Sequence, residues 1–363
     1  MGGHSVSPGA VSAVSRVVRE HLAMQAQDLP GALWSVGVRT GTTRAEVLAA
    51  WAARVVTRTW PMRGTLHLVE SRDLGWTCGL LATRSLAASR ARCTQLGLDD
   101  DDVARVRRLV VAALEPQGNR GLRRSAVHDA LAAGGIDPAG QRGVVVVARL
   151  CMEGLVCQGL PAGSEPTFVL LDAWAPDPWR PGREEAMATV AERYVRSHGP
   201  VTERDLAGWT GQTLAFTREA VALAGDRLTT QTHAGTTYLV HVDSLGAPEP
   251  GRTEGVLLLP GFDEYLLGYK DRSAMLTSAE EALVVPGGNG VFLPTVVVGG
   301  VVVGTWGRRE TSSRVVVTVR PWRTLSSATV RRVERVARDY GRFLDREVEV
   351  VVVDQGAEDG PGA

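Results

Sequence analysis

The sequence predicts an α+β protein of tandem winged-helix (helix-turn-helix) domains followed by a mainly β C-terminal domain. One pattern recurs three times along the chain: helices followed by a β-hairpin, which is the order of a winged helix. The character then changes, because valine-rich runs replace amphipathic helices from Glu254 onwards. The predicted boundaries are 1–98, 99–180, 181–250 and 251–355, with residues 356–363 as a disordered tail.

The first repeat begins with a capping box. Thr43 and Glu46 have the spacing of this motif, and they open a helix that ends near Arg54. A hairpin follows, with Arg63 at its tip. Its strands are predicted at Val55–Trp60 and Thr65–Val69.

The second and third repeats complete the pattern. Helices are predicted at 103–114, 125–133, 141–153, 184–197, 202–207 and 213–224, and strands at 155–158, 167–171, 228–232 and 237–242. The three capping residues Thr43, Ser125 and Thr202 recur at intervals of 82 and 77 residues. This period is too long for a solenoid, so it favours tandem domains.

The C-terminal region is predicted to be a mixed, mainly β domain. Its strands are predicted at Val256–Pro260, Val291–Val298, Val301–Trp306, Arg314–Val319 and Val348–Val353. Gly299-Gly300 forms a two-residue hairpin turn of the favoured kind. Ser326 or Ser327 caps a long helix that runs to Leu344.

Composition and charge limit the function classes. With 44% hydrophobic and 22% charged residues, the chain is typical of a globular protein. It shows no signal peptide and no membrane span, and its four cysteines are interpreted as reduced core thiols, so we expect a cytoplasmic protein. The net charge is zero, but residues 1–98 carry eleven arginines against five acidic residues. Such a locally basic region is compatible with nucleic-acid binding.

A Gln-x-Gln motif is the strongest candidate site. Gln25 continues the helical face of Val14 and Val18, and Pro30 predicts that the helix ends nearby. We therefore expect the amides of Gln25 and Gln27 to converge on one spot. The alternative is that these polar side chains only cap the end of the helix.

Several longer stretches carry a family resemblance. They are Gln25–Pro30, Arg39-Thr40, Thr59–Val69, Leu259–Arg272 and the hairpin Val291–Trp306. These stretches resemble the winged-helix DNA glycosylases of the AlkZ/YcaQ type. The resemblance implies that Gln25 and Gln27 are the catalytic positions and that N7-alkylated purines are removed. Within the family, Gln-x-Gln resembles the branch acting on bulky natural-product adducts in antibiotic producers, which implies self-resistance as one role beside housekeeping repair.

The expected chemistry suits an uncharged site. N7-alkylated guanine is cationic and leaves without protonation, so two amides need only hold a water molecule through their carbonyl oxygens and favour positive charge at C1′. A lyase would need an amine, and the single lysine is Lys270, so we expect a monofunctional hydrolase. No metal site, phosphate-binding loop or dinucleotide fingerprint is found, so no cofactor is implied.

The expected partner is double-stranded DNA carrying an alkylated purine, bound by a monomer. Candidate DNA contacts are Arg39, Arg58, Arg63 and the Gly299-Gly300 hairpin, which we expect to fill space at the lesion. His67 is interpreted as a core or surface residue. Asp263 and Glu264 are interpreted as structural, orienting an arginine or Lys270.

Two other functions stay open. The first is a non-catalytic DNA-binding protein such as a transcriptional regulator, although regulators are usually dimers and no dimerisation segment is evident. A drug-sequestering protein would bind the free toxin instead. The sequence does not name the lesion, because methyl adducts, bulky adducts and crosslinks share the N7 cation.

Overall fold

The protein is described here by a computed structural model covering residues 7–175, 177–246 and 255–353. These residues form two compact units: the first holds those up to residue 27 and from 48 to 245, and the second holds the rest. The predicted tail, 356–363, lies outside the described residues. Helices and strands are both abundant, so the mixed α and β content is confirmed.

Fifteen α-helices occur in the described residues. They are α1 (Pro8–Glu20), α2 (Leu29–Thr40), α3 (Arg44–Ala52), α4 (Leu74–Leu81), α5 (Thr83–Gln95), α6 (Asp100–Leu114), α7 (Arg124–Ala133), α8 (Arg142–Met152), α9 (Leu171–Trp174), α10 (Arg183–His198), α11 (Glu203–Thr210), α12 (Leu214–Ala224), α13 (Glu264–Leu267), α14 (Ser278–Val284) and α15 (Ser327–Leu344). Within these bounds, no helix has the length and apolar character needed to cross a bilayer.

The strands belong to three sheets within the described residues. They are β1 (Met24–Gln25), β2 (Val56–Met62), β3 (Thr65–Glu70), β4 (Leu122–Arg123), β5 (Val156–Ala162), β6 (Glu165–Leu170), β7 (Leu228–His233), β8 (Thr236–His241), β9 (Val256–Leu259), β10 (Thr295–Val298), β11 (Val301–Glu310), β12 (Arg314–Pro321) and β13 (Glu347–Val352). The predicted strand at 291–298 starts late, because Pro294 has no N–H to donate to a ladder.

Local capping explains several helix starts. The backbone N–H of Thr43 donates to Glu46 at 2.8 Å, and the N–H of Glu46 donates to the Thr43 hydroxyl at 3.3 Å, which confirms the capping box. The predicted caps at Thr202 and Ser326 are also confirmed. Each satisfies backbone N–H groups that have no partner inside the helix.

The predicted cap at Ser125 is wrong. Ser125 lies inside α7, and Arg123 occupies the N-cap position without a side-chain bond. The backbone N–H of Ser125 instead donates to the Glu165 carboxylate at 2.8 Å. A carboxylate forty residues away therefore accepts one of the N–H groups at the start of α7. The sequence around Ser125 contains no pattern that would predict this partner.

Two hairpins join to build the main sheet of the first unit. The order of the sheet is β1-β3-β2-β5-β6-β4, and β2 meets β5 where Arg58 lies opposite Gln158. Buried side chains of α6, α8 and β6, such as Val110, Leu150 and Phe168, form a core against this sheet. The third hairpin, β7-β8, forms a separate two-stranded sheet.

Short strands precede the hairpins in a recurring order. β1 pairs with β3 and β4 pairs with β6, while Val201 forms a single bridge to Leu239 of β8. Along the chain, each of the three stretches therefore reads helix, short extended segment, two helices and hairpin. The winged-helix arrangement and the boundaries within residues 1–250 stay predictions.

The second unit is a five-stranded sheet packed by aromatic residues. The order is β13-β12-β11-β10-β9, and β13 runs parallel to β12 through the crossover helix α15. The indoles of Trp34 and Trp306 donate to the carbonyls of Leu258 and Leu259, both at 2.7 Å. Tyr340 of α15 contacts both indole rings at centroid distances of 5.0 and 5.2 Å.

Residues 28–47 are tied to this unit by an ion pair. Arg39 donates to both carboxylate oxygens of Asp263 at 2.7 and 2.8 Å, and the Ser35 hydroxyl donates to the same group at 2.6 Å. Burial opposes ionisation of Asp263, but Arg39, Ser35 and a backbone N–H together lower its pKa. The structural interpretation of Asp263 is therefore confirmed, with an arginine as its partner.

We expect the Asp263→Asn variant to be less stable by about 3 kcal/mol at neutral pH, because one partner of a buried bidentate pair is lost. Since the pKa of Asp263 is lowered by folding, its stabilisation is present above the unfolded pKa and is lost as the pH falls through the folded one. Urea denaturation at several pH values measures this. The difference between variant and wild type should shrink below about pH 4, and a constant difference would contradict the prediction.

Candidate active site

The Gln-x-Gln motif lies outside the helices: Gln25 ends the short strand β1, and Gln27 lies in the bend between β1 and α2. α1 ends at Glu20, and Leu22 adopts a left-handed conformation with φ of 61°. Met24 and Gln25 then pair with Leu68 and His67 of β3. The expectation that Gln25 continues the face of α1 is wrong, because pairing with a strand forty residues away overrides the local helical pattern.

Burial alternates along the motif. Met24 and Ala26 are fully buried, whereas Gln25 is partly exposed and Gln27 is exposed. This alternation is what a strand with one buried face produces. The two glutamine side chains contact successive residues of β3, Thr65 and Leu66, so both lie against the start of that strand.

The β2–β3 turn and the start of β3 hold both amide oxygens. Gln25 Oε1 accepts from the guanidinium of Arg63 at 2.9 Å and from the hydroxyl of Thr65 at 3.3 Å. Gln27 Oε1 accepts from the backbone N–H of Leu66 at 3.3 Å. A carbonyl oxygen has two lone pairs, so that of Gln25 is saturated and that of Gln27 retains acceptor capacity.

His67 fixes the arginine that holds Gln25. Its Nδ1 lies 3.0 Å from the carbonyl oxygen of Thr65, which can only accept, so Nδ1 carries the proton. Nε2 is then an acceptor, and Arg63 donates to it at 3.2 Å. The imidazole is fully buried, as the core interpretation requires. Arg63 thus bridges a buried neutral histidine and the candidate catalytic amide.

A second arginine holds the backbone of the motif. Arg58 donates to the carbonyl of Ala26 at 2.9 Å and to that of Gln27 at 3.3 Å. It also donates to the side chain of Gln158, a buried residue of the second hairpin, at 3.3 Å. Arg58, predicted to contact DNA, therefore has a clear positioning role in the structure.

The remaining predicted contacts lie in the second unit. Arg39 is committed to Asp263, so any contact of Arg39 with DNA would compete with that ion pair. Gly299 and Gly300 form the predicted turn between β10 and β11, with φ of 59° and 82°. Two successive positive φ angles define a type I′ turn, which glycine adopts without strain.

Sequence reasoning missed two supporting residues. Thr65 lies at the start of β3 and bonds Gln25, and Gln158 anchors Arg58 from another hairpin. The role of Thr65 could have been predicted, since it follows Arg63-Gly64 in a stretch that carries the family resemblance. The role of Gln158 could not, because its partner Arg58 lies a hundred residues away in the sequence. Among the residues that the structure describes, no group of acidic, histidine or cysteine side chains is placed to hold a metal ion.

Comparisons with known proteins agree with this architecture. A family model described as DNA glycosylase AlkZ-like matches residues 18–343. An interstrand DNA cross-link repair glycosylase from Streptomyces sahachiroi is 27% identical over 93% of this chain and 92% of its own length. The solved structure of the Streptomyces sahachiroi DNA glycosylase AlkZ superposes with a TM-score of 0.74, at 27% identity over 93% of this chain and 94% of that chain.

The class of protein follows from the fold, the site and these matches: it is a DNA glycosylase. The match of a family model to most of the chain shows that it belongs to the AlkZ-like DNA glycosylase family.

We expect His67→Phe to lower the rate of base release about tenfold at saturating DNA, because Arg63 loses an acceptor and small misplacements of reacting groups are costly. The DNA concentration for half-maximal rate should not change. His67→Gln, which keeps an acceptor, should recover part of the rate, and thermal melting controls for loss of fold. Equal rates for the wild type and the Phe variant would contradict the positioning role.

Proposed function

We propose that the protein hydrolyses the N-glycosidic bond of N7-alkylated guanine in duplex DNA, including bulky natural-product adducts and interstrand crosslinks. The observation that carries this proposal is that the side-chain amides of Gln25, at the end of β1, and Gln27, just after it, are both held by the β2–β3 turn and the start of β3. The two amides supply orientation and dipoles, and neither of them is an acid or a base.

An N7-alkylated guanine suits this limitation. Its positive charge weakens the bond between N9 and C1′, so the base leaves with the electron pair and becomes neutral without a proton from the enzyme. The attacking water needs to be held beside C1′, and its proton passes to solvent. Orientation alone lowers such barriers substantially. Neutral lesions, which need protonation to leave, should resist this site.

The two glutamines bind the water molecule in different ways, one as a hydrogen-bond donor and the other as an acceptor. Because both lone pairs of Gln25 Oε1 accept bonds from Arg63 and Thr65, this amide engages a water by donating from its NH₂ group. Gln27 Oε1 has acceptor capacity left and takes a hydrogen bond from the same water. This division replaces the expectation that both carbonyl oxygens hold the nucleophile.

The relatives support larger lesions as substrates. The Streptomyces sahachiroi relative is named as an interstrand DNA cross-link repair glycosylase. The Gln-x-Gln form of the motif resembles the branch that removes bulky adducts in antibiotic producers, so self-resistance is part of the proposal. Winged-helix units at the three helix–hairpin stretches would supply the surface for duplex DNA.

Base release tests the proposal directly. Wild-type protein should release base from a duplex with one N7-methylguanine and from one with a nitrogen-mustard crosslink between two guanines. Gln25→Ala and Gln27→Ala should each reduce release about 100-fold, the loss typical of removing one positioned transition-state contact. Asn289→Ala, which removes an exposed amide outside the three helix–hairpin stretches, is the control.

Other outcomes would reject the proposal. Binding to DNA without release of either base would point to a non-catalytic regulator. Binding of free drug without a need for alkylated DNA would point to sequestration. Borohydride treatment during turnover should trap no covalent complex, because the proposed mechanism uses water and not an amine.

The β10–β11 hairpin offers a separate test. The Tyr265 hydroxyl donates to the Gly300 carbonyl at 2.6 Å, which braces the turn. Removing the turn residues and one flanking pair, Val298 and Val301, should weaken excision of lesions if the hairpin fills space at the lesion. Tyr265→Phe, which retains the full hairpin, should have a smaller effect. Unchanged excision by the shortened variant would contradict this role.

A further inference from the structure

A groove in the first unit lies beside the candidate site and has no part in the chemistry above. Its volume is about 630 Å³, within the range of pockets that bind small ligands. It is lined by the turn of the β2–β3 hairpin, by α5 and α8, and by the C-terminal end of α11. All of these elements belong to the same compact unit.

The floor of the groove is apolar. Ala148 and Met152 of α8 pack with Ala82 in a buried cluster that reaches the surface here. Val144, one turn earlier on α8, also lines the groove and is 45% exposed. Exposed valine beside a concave apolar floor is typical of a surface that a ligand covers.

The rim of the groove is basic. Arg63, Arg84 and Arg92 line it, and the described lining residues include no carboxylate. Arg84 of α5 donates to the carbonyl of Gly211 at 2.9 Å, which joins α5 to the end of α11. The groove therefore offers an apolar base with hydrogen-bond donors around it.

Arg63 connects the groove to the candidate site. The same side chain that lines the groove donates to Gln25 at 2.9 Å. The groove and the candidate site therefore share one side chain and adjoin each other within the first unit.

We propose that the groove binds the body of a bulky N7 substituent: an apolar, ring-containing scaffold that carries carbonyl or hydroxyl acceptors. This inference rests on the proposed function. The scaffold covers the floor, and its oxygen atoms accept from the rim arginines. A phosphodiester backbone fits less well, because phosphates gain nothing from an apolar floor and are contacted on open surfaces.

Filling the groove tests this assignment. Ala88 of α5 lines it and is exposed, so Ala88→Trp occupies its volume without disturbing the core. Ala87→Trp is the matched control, since Ala87 is an exposed neighbour on the same helix outside the described groove lining. The probes are duplexes with one N7-methylguanine or one N7 adduct of an aryl nitrogen mustard.

Ala88→Trp should reduce the excision rate of the aryl adduct at least about tenfold, as expected for loss of about 60 Å² of apolar contact, and leave N7-methylguanine excision unchanged. Ala87→Trp should alter neither rate. Binding gives a second readout: in a Gln25→Ala/Gln27→Ala background, Ala88→Trp should abolish the preference for the aryl-adduct duplex over unmodified duplex.

Two results would overturn the inference. If Ala88→Trp changes neither rate, the groove is not occupied during excision. If it lowers both rates equally and Arg92→Ala reduces the salt dependence of binding to unmodified duplex, the groove follows the DNA backbone. Failure of the proposed function itself is distinct, because the wild-type protein would then release neither base.

Discussion

The pairing of the two-residue strand β1 with β3 is the constraint on which the site depends. It converts the residues after α1 from a fraying helix end into an extended segment with buried Met24 and Ala26. Only in that conformation do side chains two positions apart face the same way. The pairing also brings the amides against Arg63 and Leu66, so the same few hydrogen bonds fix both the backbone and the reactive groups. The chain passes into the second unit directly after Gln27.

Arginine side chains stabilise the conformation that this backbone pairing produces. Arg58 anchors the carbonyls of Ala26 and Gln27, Arg63 anchors the side chain of Gln25, and Arg39 anchors α2 to Asp263. A planar guanidinium suits this use because it donates several hydrogen bonds in fixed directions and stays charged. The basic character of residues 1–98 is therefore not all available for DNA. Several of these arginines bond to groups inside the protein. The net charge of residues 1–98 therefore overstates the positive charge that is available to contact DNA.

Local signals in the sequence predicted most elements correctly, and long-range partners account for the errors. The hairpin turns and the caps at Thr43, Thr202 and Ser326 depend on residues within four positions, so their spacing is sufficient evidence. The end of α1, the cap of α7 and the partner of Arg39 depend on residues 40 to 224 positions away. No periodicity reports such contacts. The Gln-x-Gln motif was found through its family resemblance, while its geometry was found only in the folded chain.

The proposed use of two amides in place of an acid and a base has a consequence for selectivity. Two amides orient water and favour positive charge, but neither gains nor loses a proton, so the site adds little where the leaving group needs an acid. Under the proposed mechanism the lesion supplies its own activation, and every N7-alkylguanine does so whatever its substituent. Chemistry alone cannot then separate a methyl group from a drug-sized adduct. Discrimination must come from binding, in contacts to the part of the adduct that does not react. The apolar groove beside Arg63 is the surface proposed for such contacts, while the chemistry proposed for the glutamines is the same for all of these lesions.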